Sequence, residues 1–446
     1  MRILLINPPR SPWNSILQYA PDEAKHFIHK KLIGPPLGLL TLAGALNDFD
    51  VTIAELKAEY DSDPNAPELE VLVEKYLKEV KPDIVGVTFI ASEFNDGIRI
   101  LNIVKRYNPE ILTVAGGLHA TLCPGDFYLD SVDVICKGQA AGIFREIVTA
   151  KSKNEGFEKI GGIIYKENGQ HKASSALIKP WNAARENFYF PRRDLIKQWI
   201  NTYIVGNSPD PSTYIFTSLG CQYQCSFCSI WPQFDKNVFQ REIESIITEL
   251  KSIDDYAVVR FSDANTIINV NFIDKLCDRI LEEGIKKTYV MDIRFDTAAK
   301  YPHLIEKLAK IGLKVVICGF ESFREEELLK YNKSASAEII EQAISVFHAN
   351  DVMLRGNYVV PPDYTENDFE ALSEYANRNK VVYAGYTILS PMPGTVYYEE
   401  VKPSIIDFDL SKYNFFNSVM QTKLPLEEFY RKVGSLWLIK KGNDVI

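Results

Sequence analysis

The sequence predicts an α/β protein: an N-terminal Rossmann-like (flavodoxin-like) parallel-sheet domain, then a partial (β/α)6 TIM-type barrel and a small C-terminal cap. Three observations predict it. Short apolar runs of five to eight residues alternate with amphipathic stretches along most of the 446 residues, as expected when helices cover both faces of a parallel sheet. From Ser212 onward six such runs recur about every 30–40 residues, a βα period that suits a barrel or part of one. After about Val401 the period stops and the chain becomes rich in Tyr and Phe.

In order, residues 1–150 carry strand candidates at Arg2–Asn7, Asp50–Leu56, Asp83–Ile90, Leu112–Gly117 and Val132–Gly138, with helical stretches such as Glu68–Val80 and Asp96–Tyr107 between them. Ligands on such a sheet bind beyond the carboxyl ends of its strands. Glycines fall there, in Ala115-Gly-Gly-Leu-His-Ala-Thr121 and Lys137-Gly138. The first strand runs into Asn7-Pro-Pro-Arg10 rather than a glycine-rich turn, and prolines cannot donate the backbone hydrogen bonds that cradle a dinucleotide phosphate.

Residues 151–210 read as a connector containing a hairpin, Gly161–Gly169, with Asn168-Gly169 as its turn. Residues 211–400 form the predicted barrel, with strands Tyr214–Leu219, Val258–Ser262, Thr288–Arg294, Lys314–Phe320, Leu354–Val360 and Val382–Leu389. Helices such as Glu242–Ile253 and Pro302–Ile311 separate them. Polar residues cluster at the strand ends: Asp263, Asp292, Arg294, Asp296, Glu321 and, within the fifth strand, Asn357. Residues 401–446 make the cap. Its aromatics, among them Tyr413, Phe429, Tyr430 and Trp437, suit either a core or the floor of an apolar pocket.

Composition narrows the function. A net charge of −9 disfavours binding to nucleic-acid backbones. No apolar run approaches the roughly 20 residues that span a bilayer, and the apolar start is too short for a signal peptide. Three of the seven cysteines are clustered and four scattered, which is not a secreted disulfide framework and points to the reducing cytoplasm.

The clustered three carry the chemistry. Cys221, Cys225 and Cys228 stand as C-x3-C-x2-C in Gly220-Cys-Gln-Tyr-Gln-Cys-Ser-Phe-Cys228. Structural zinc takes four protein ligands, so three thiolates suggest an iron–sulfur cluster with one iron left open to a substrate. The motif resembles that of the radical S-adenosylmethionine (radical SAM) superfamily. Gly319-Phe-Glu-Ser322 with Lys333, and Pro391-Met-Pro-Gly-Thr395, resemble segments of its cobalamin-linked members. Ile33-Gly-Pro-Pro-Leu-Gly-Leu-Leu-Thr-Leu-Ala43, Gly116-Gly-Leu-His-Ala-Thr121 and Val132–Gly138 resemble the B12-binding domain that precedes many such cores, so the likeness covers nearly the whole chain.

The resemblance implies a [4Fe-4S] cluster on Cys221, Cys225 and Cys228. It implies S-adenosylmethionine beside Phe227, Asp263, Arg294, Glu321 and Asn357. Cobalamin would lie against Pro36, Leu37, Gly38, Ser92, Gly116, Gly117, His119 and Gly138. The pattern D-x-H-x-x-G, whose histidine ligates cobalt from below, is missing at His26 and His29, so cobalamin is expected without a histidine ligand, its lower face covered by Pro36–Leu39. Cys123 and Cys136 are expected to be buried thiols.

The implied reaction is C-methylation. A 5′-deoxyadenosyl radical takes hydrogen from an unactivated carbon, and methylcobalamin, held above the barrel mouth by the first domain, supplies the methyl group. Cyclisation, ring contraction or carbon–carbon coupling with the same cofactors is the alternative. A non-catalytic corrinoid-binding or regulatory iron–sulfur protein is the reading from another class. The partners implied are a small-molecule, lipid or peptide substrate and an external electron donor such as flavodoxin or ferredoxin.

Overall fold

The computed structural model describes residues 1–28, 34–175, 188–204, 210–333, 336–379, 381 and 384–439. His29, Ile33 and the start of the last predicted barrel strand lie outside the described residues. The chain divides into two compact units, Met1–Pro12 with Pro35–Thr202, and Trp13–Gly34 with Tyr203–Ile446.

The first unit is built on β1 (Arg2–Asn7), β2 (Asp50–Glu55), β3 (Ile84–Thr88), β4 (Leu112–Gly116), β5 (Val134–Cys136), β6 (Ile163–Glu167) and β7 (Gln170–Ala173). Their order is β2-β1-β3-β4-β5-β6-β7. The first five are parallel in the flavodoxin-like order 2-1-3-4-5. The predicted hairpin forms and adds β6 and β7 antiparallel to that sheet; Asn168 (φ +51) and Gly169 (φ +80) take the left-handed turn its sequence promised. Ile3, Leu4, Leu5 and Ile6 are all fully buried, so both faces of the central strand are covered. Helices Leu69–Val80 and Phe94–Tyr107 supply Leu72, Leu77, Ile100 and Val104 to the core containing Leu4, Ile6, Val85 and Val87.

A polar knot sits at the carboxyl end of this sheet. Glu55 is fully buried and its carboxylate accepts two hydrogen bonds from Asn7 Nδ2, at 3.0 and 2.7 Å. Lys57 pairs with buried Glu93 at 2.6 Å, and among the described residues Glu55 forms no ion pair of its own. Burial pushes the Glu55 carboxyl up to about 7. The folded state therefore holds this proton more tightly than the unfolded chain, and the stability it confers is present at low pH and lost as pH rises through 7. Glu55→Gln should be more stable than the parent at pH 8 by on the order of 2–3 kcal/mol, with the gap closing by pH 5. Urea denaturation at the two pH values checks the sign.

The second unit holds β8 (Ser212–Ile215), β9 (Ser218–Gly220), β10 (Val238–Gln240), β11 (Val258–Phe261), β12 (Thr288–Asp292), β13 (Leu313–Glu321), β14 (Met353–Val360) and β15 (Gly385–Ile388). Six of them form a sheet in the order β15-β14-β13-β12-β11-β8, every neighbour parallel. Among the described residues its two outer strands, β8 and β15, do not pair, so the barrel is partial.

The expected single strand Tyr214–Leu219 is two. After Ile215 the chain leaves the sheet, and Ser218–Gly220 pairs antiparallel with β10. The cause is local: the Asp263 carboxylate takes the N–H groups of Thr217 (2.7 Å) and Ser218 (2.9 Å) that a continuing strand would have offered its neighbour.

The described residues of Trp13–Gly34 follow β1 in sequence yet pack in the second unit. Helix Ser15–Tyr19 lies on the C-terminal helix Leu426–Leu436, with Tyr19 and Tyr430 stacked at 5.7 Å. Tyr413, Phe429 and Tyr430 are buried core here. Among the described residues no helix is long and apolar enough to cross a membrane.

Candidate functional site

The three cysteines follow β9 on a loop that its neighbours fix from several sides. Gly220 stands at φ +85, and a Cβ there would meet the Asn237 carbonyl at 2.1 Å, so only glycine admits the turn into Cys221. Ser226 N–H donates to the Tyr331 carbonyl (3.1 Å), Asn332 Nδ2 to the Gln224 carbonyl (2.8 Å), and Trp231 Nε1 to the Cys225 carbonyl (3.0 Å). The Ser226 carbonyl accepts from Tyr397 N–H at 2.9 Å. A loop held through its backbone leaves its side chains free to serve as ligands.

Asp263 is nearly wholly buried and engaged by Thr217 N, Thr217 Oγ1 (2.6 Å) and Ser218 N. The sequence placed it beside S-adenosylmethionine; the structure gives it the bracing of the approach to the cluster loop. Arg294 forms a two-pronged pair with Asp296 (3.0 and 2.7 Å), and its guanidinium lies 3.6 Å from the Tyr223 ring on the cysteine loop. Glu321 pairs with buried Lys333 at 2.7 Å, and Lys333 also donates to the Gly319 carbonyl at 2.6 Å. The sequence motif contained Lys333 without revealing this role. Glu321 stands at φ +63, beside a break in the β13–β14 register, and such non-glycine strain is characteristic of functional sites. Phe227 meets Tyr331 edge-on at 5.5 Å. Asn357 lies level with Gly319 and Gly385 across the sheet.

The donor set suits the group the motif implies. Burial pushes the Cys228 thiol up to about 11 and raises that of Cys225, while Lys333 and Arg294 oppose the rise at Cys225. Three soft ligands with cations facing them can hold an iron–sulfur cluster as thiolates.

At the carboxyl edge of the first sheet, Gly38 and Gly138 have nothing within 4 Å of where a Cβ would stand. Pro36 caps helix Leu37–Gly44 beside Gly38, and Ser92 sits in the turn after β3. Gly116 ends β4; Gly117 (φ +96) lies against the Phe89 backbone, where a Cβ would meet N and O at 2.8 Å. This glycine-lined edge, open at Gly38 and Gly138, fits a broad flat ring.

His119 is buried rather than at the surface. It is 2% exposed, packed edge-on against Phe94 (5.4 Å), with Nε2 3.0 Å from Asp126. Burial lowers its basicity. Its ring nitrogen, the Cys123 thiol and an Asp126 oxygen all fall within 4.8 Å of one another, a grouping the sequence analysis did not foresee. Cys136 is buried and Cys123 partly so. His26 lies in helix Asp22–Ile28 of the second unit. The first unit's other described histidine, His171, is engaged by the Val132 carbonyl at 2.8 Å.

Residues 215–376 match the family model of the Radical SAM superfamily, and residues 27–148 match that of the B12 binding domain. The chain is a B12-binding radical SAM enzyme. Its cofactors are accordingly a [4Fe-4S] cluster, S-adenosylmethionine and cobalamin. This radical SAM enzyme is 28% identical to an uncharacterized methyltransferase of Pyrococcus horikoshii, over 95% of this chain and 88% of the relative. It is 23% identical to the hopanoid C-3 methylase of Methylococcus capsulatus, over 89% and 74%. In fold it is similar to the radical S-adenosylmethionine methyltransferase TsrM of Kitasatospora setae, solved with cobalamin and a [4Fe-4S] cluster bound, at a TM-score of 0.72 and 17% identity, covering 99% and 91% of the two chains.

Proposed function

We propose that the chain is a cobalamin-dependent C-methyltransferase acting on an unactivated carbon. The observation that carries this is the pairing of the glycine-lined sheet edge with a three-thiolate loop in one chain, shared in outline with relatives named as methyltransferases. When bound, the cofactors supply a 5′-deoxyadenosyl radical for hydrogen abstraction and a methyl group for transfer. The residues supply holding and orientation. Cys221, Cys225 and Cys228 hold the cluster; Phe227, Arg294, Glu321 and Asn357 orient S-adenosylmethionine; and Asp263 keeps the loop in place. Pro36, Leu37, Gly38, Ser92, Gly116, Gly117 and Gly138 seat the corrin. The reductant is an external flavodoxin or ferredoxin, and the compartment is the cytoplasm.

The test needs no substrate. Reconstituted anaerobically with both cofactors and a reductant, the protein should convert S-adenosylmethionine to S-adenosylhomocysteine as well as to 5′-deoxyadenosine. Formation of 5′-deoxyadenosine alone would favour cyclisation or coupling and overturn the methyltransferase reading. Of the two first-unit histidines that the structure describes, His171 is engaged by the Val132 carbonyl and His119 is buried with Nε2 against Asp126. Paramagnetic resonance of the Co(II) form should therefore lack splitting from an axial imidazole nitrogen.

Glu321→Ala would strand Lys333 as a buried cation, so Glu321→Gln is the cleaner probe. Losing one charge-assisted contact should weaken S-adenosylmethionine binding about 10–150-fold at unchanged iron content. Unaltered affinity in cluster-replete Glu321→Gln would remove the residue from the binding site.

A further inference from the structure

The lumen of the partial barrel carries charges that neither the cluster nor the fold uses. Along β14, Leu354, Gly356, Tyr358 and Val360 are buried, whereas Met353, Arg355, Asn357 and Val359 are only half-buried and face the other way. Register extends that second face across the sheet. Arg355 is level with Ile317 of β13, and Ile317 with Asp292 of β12. One layer nearer the amino ends, Tyr214 of β8, Arg260 of β11 and Val290 of β12 are level with one another.

Arg260 reaches from that lower layer to Asp292, at 2.9 Å, and its guanidinium lies 5.6 Å from the Tyr214 ring. Arg355 makes no hydrogen bond or ion pair among the described residues. Its surroundings contain the Arg260 cation as well as Asp292, and burial together with Arg260 works against its charge. At this level of the lumen two guanidinium groups, Arg260 and Arg355, therefore share one carboxylate, Asp292. A half-buried guanidinium that shares its one nearby carboxylate with a second guanidinium is placed to gain from an added anion. Asn357, two residues further along β14, stands about 7 Å nearer the mouth, at the level of Gly319.

We infer that this lumen binds the substrate through an oxyanion, a carboxylate or a phosphate or phosphonate, held by the fork of Arg355 with Arg260 beside it. A guanidinium fork matches both kinds of anion through paired hydrogen bonds. The anion anchors one end of the substrate deep in the barrel and leaves its reacting carbon toward Asn357 and the cluster loop. The inference rests on the radical SAM reading for the lumen being the substrate's place, and it makes that substrate an acid rather than a neutral lipid.

The experiment is thermal denaturation of the cofactor-loaded protein with benzoate, phenylphosphonate and neutral benzamide as probes. At least one anion should raise the melting temperature saturably while benzamide does not; the stronger of the two tells carboxylate from phosphonate. Arg355→Met should melt higher than the parent without probe, because it removes an unpaired charge, and should lose the anion shift. Arg355→Lys, which keeps the charge but not the fork, should need about tenfold more anion. Equal response to benzamide, an anion shift surviving in Arg355→Met, or a lowered melting temperature in that variant would each overturn the inference. Formation of 5′-deoxyadenosine, followed in the same samples, separates this failure from failure of the radical SAM reading, which alone would abolish it.

Discussion

Cys221→Ala, Cys225→Ala and Cys228→Ala should each abolish formation of 5′-deoxyadenosine while leaving the protein folded. A site of three thiolates has no ligand to spare, so losing one removes the cluster rather than weakening it. The fold survives because the loop is held by its backbone: Ser226 to Tyr331, Asn332 to Gln224, Trp231 to Cys225 and Tyr397 to Ser226. None of these bonds uses a thiol. Cys136→Ala and Cys318→Ala supply the contrast. Both thiols are buried, and burial pushes each up to about 12, as suits inert packing. Iron content and cleavage should therefore persist in them. Iron analysis and chromatographic detection of 5′-deoxyadenosine decide the matter, and full iron in any of the three loop variants would refute the ligand set.

The same loop shows what the sequence could convey. Its spacing announced three ligands because that chemistry depends on residue types close together in the chain. The strands were equally legible, since burial on both faces writes continuous apolar runs such as Ile3–Ile6. Long-range pairings leave no such trace. The break after Ile215 depends on Asp263, forty-odd residues away, and the Glu321–Lys333 pair on how β13 ends. The sequence set His119 beside cobalamin without showing that Phe94 and Phe127 would pack against its ring. The excursion Trp13–Gly34 is another case: nothing local marks Ser15–Tyr19 as a partner for a helix four hundred residues later. Arg260, Asp292 and Arg355 belong to three separate strands, so their shared lumen appears only once register is known.

Arg241→Ala should cost about 3–5 kcal/mol of stability. Arg241 follows β10 and is almost completely buried. Its guanidinium donates to Glu249 (2.6 Å), the Phe216 carbonyl (2.8 Å) and Ser245, while its backbone N–H donates to the Thr217 carbonyl (2.9 Å). It thus fastens the stretch where the chain leaves β8 for the cluster loop. Alanine would take from the fully buried Glu249 carboxylate its bond to Arg241 and from the Phe216 carbonyl its guanidinium donor, and these two losses explain the size of the effect. Removing both charges is milder: Arg241→Met with Glu249→Leu should recover most of the stability, because apolar groups of similar volume avoid the desolvation the pair incurs. Chemical denaturation measures both, and a double variant no better than Arg241→Ala would contradict the argument. Iron content adds a second readout. Because β9 leads directly into Cys221, a slackened Phe216–Ser218 stretch should lower cluster occupancy in Arg241→Ala even at temperatures where the protein remains folded.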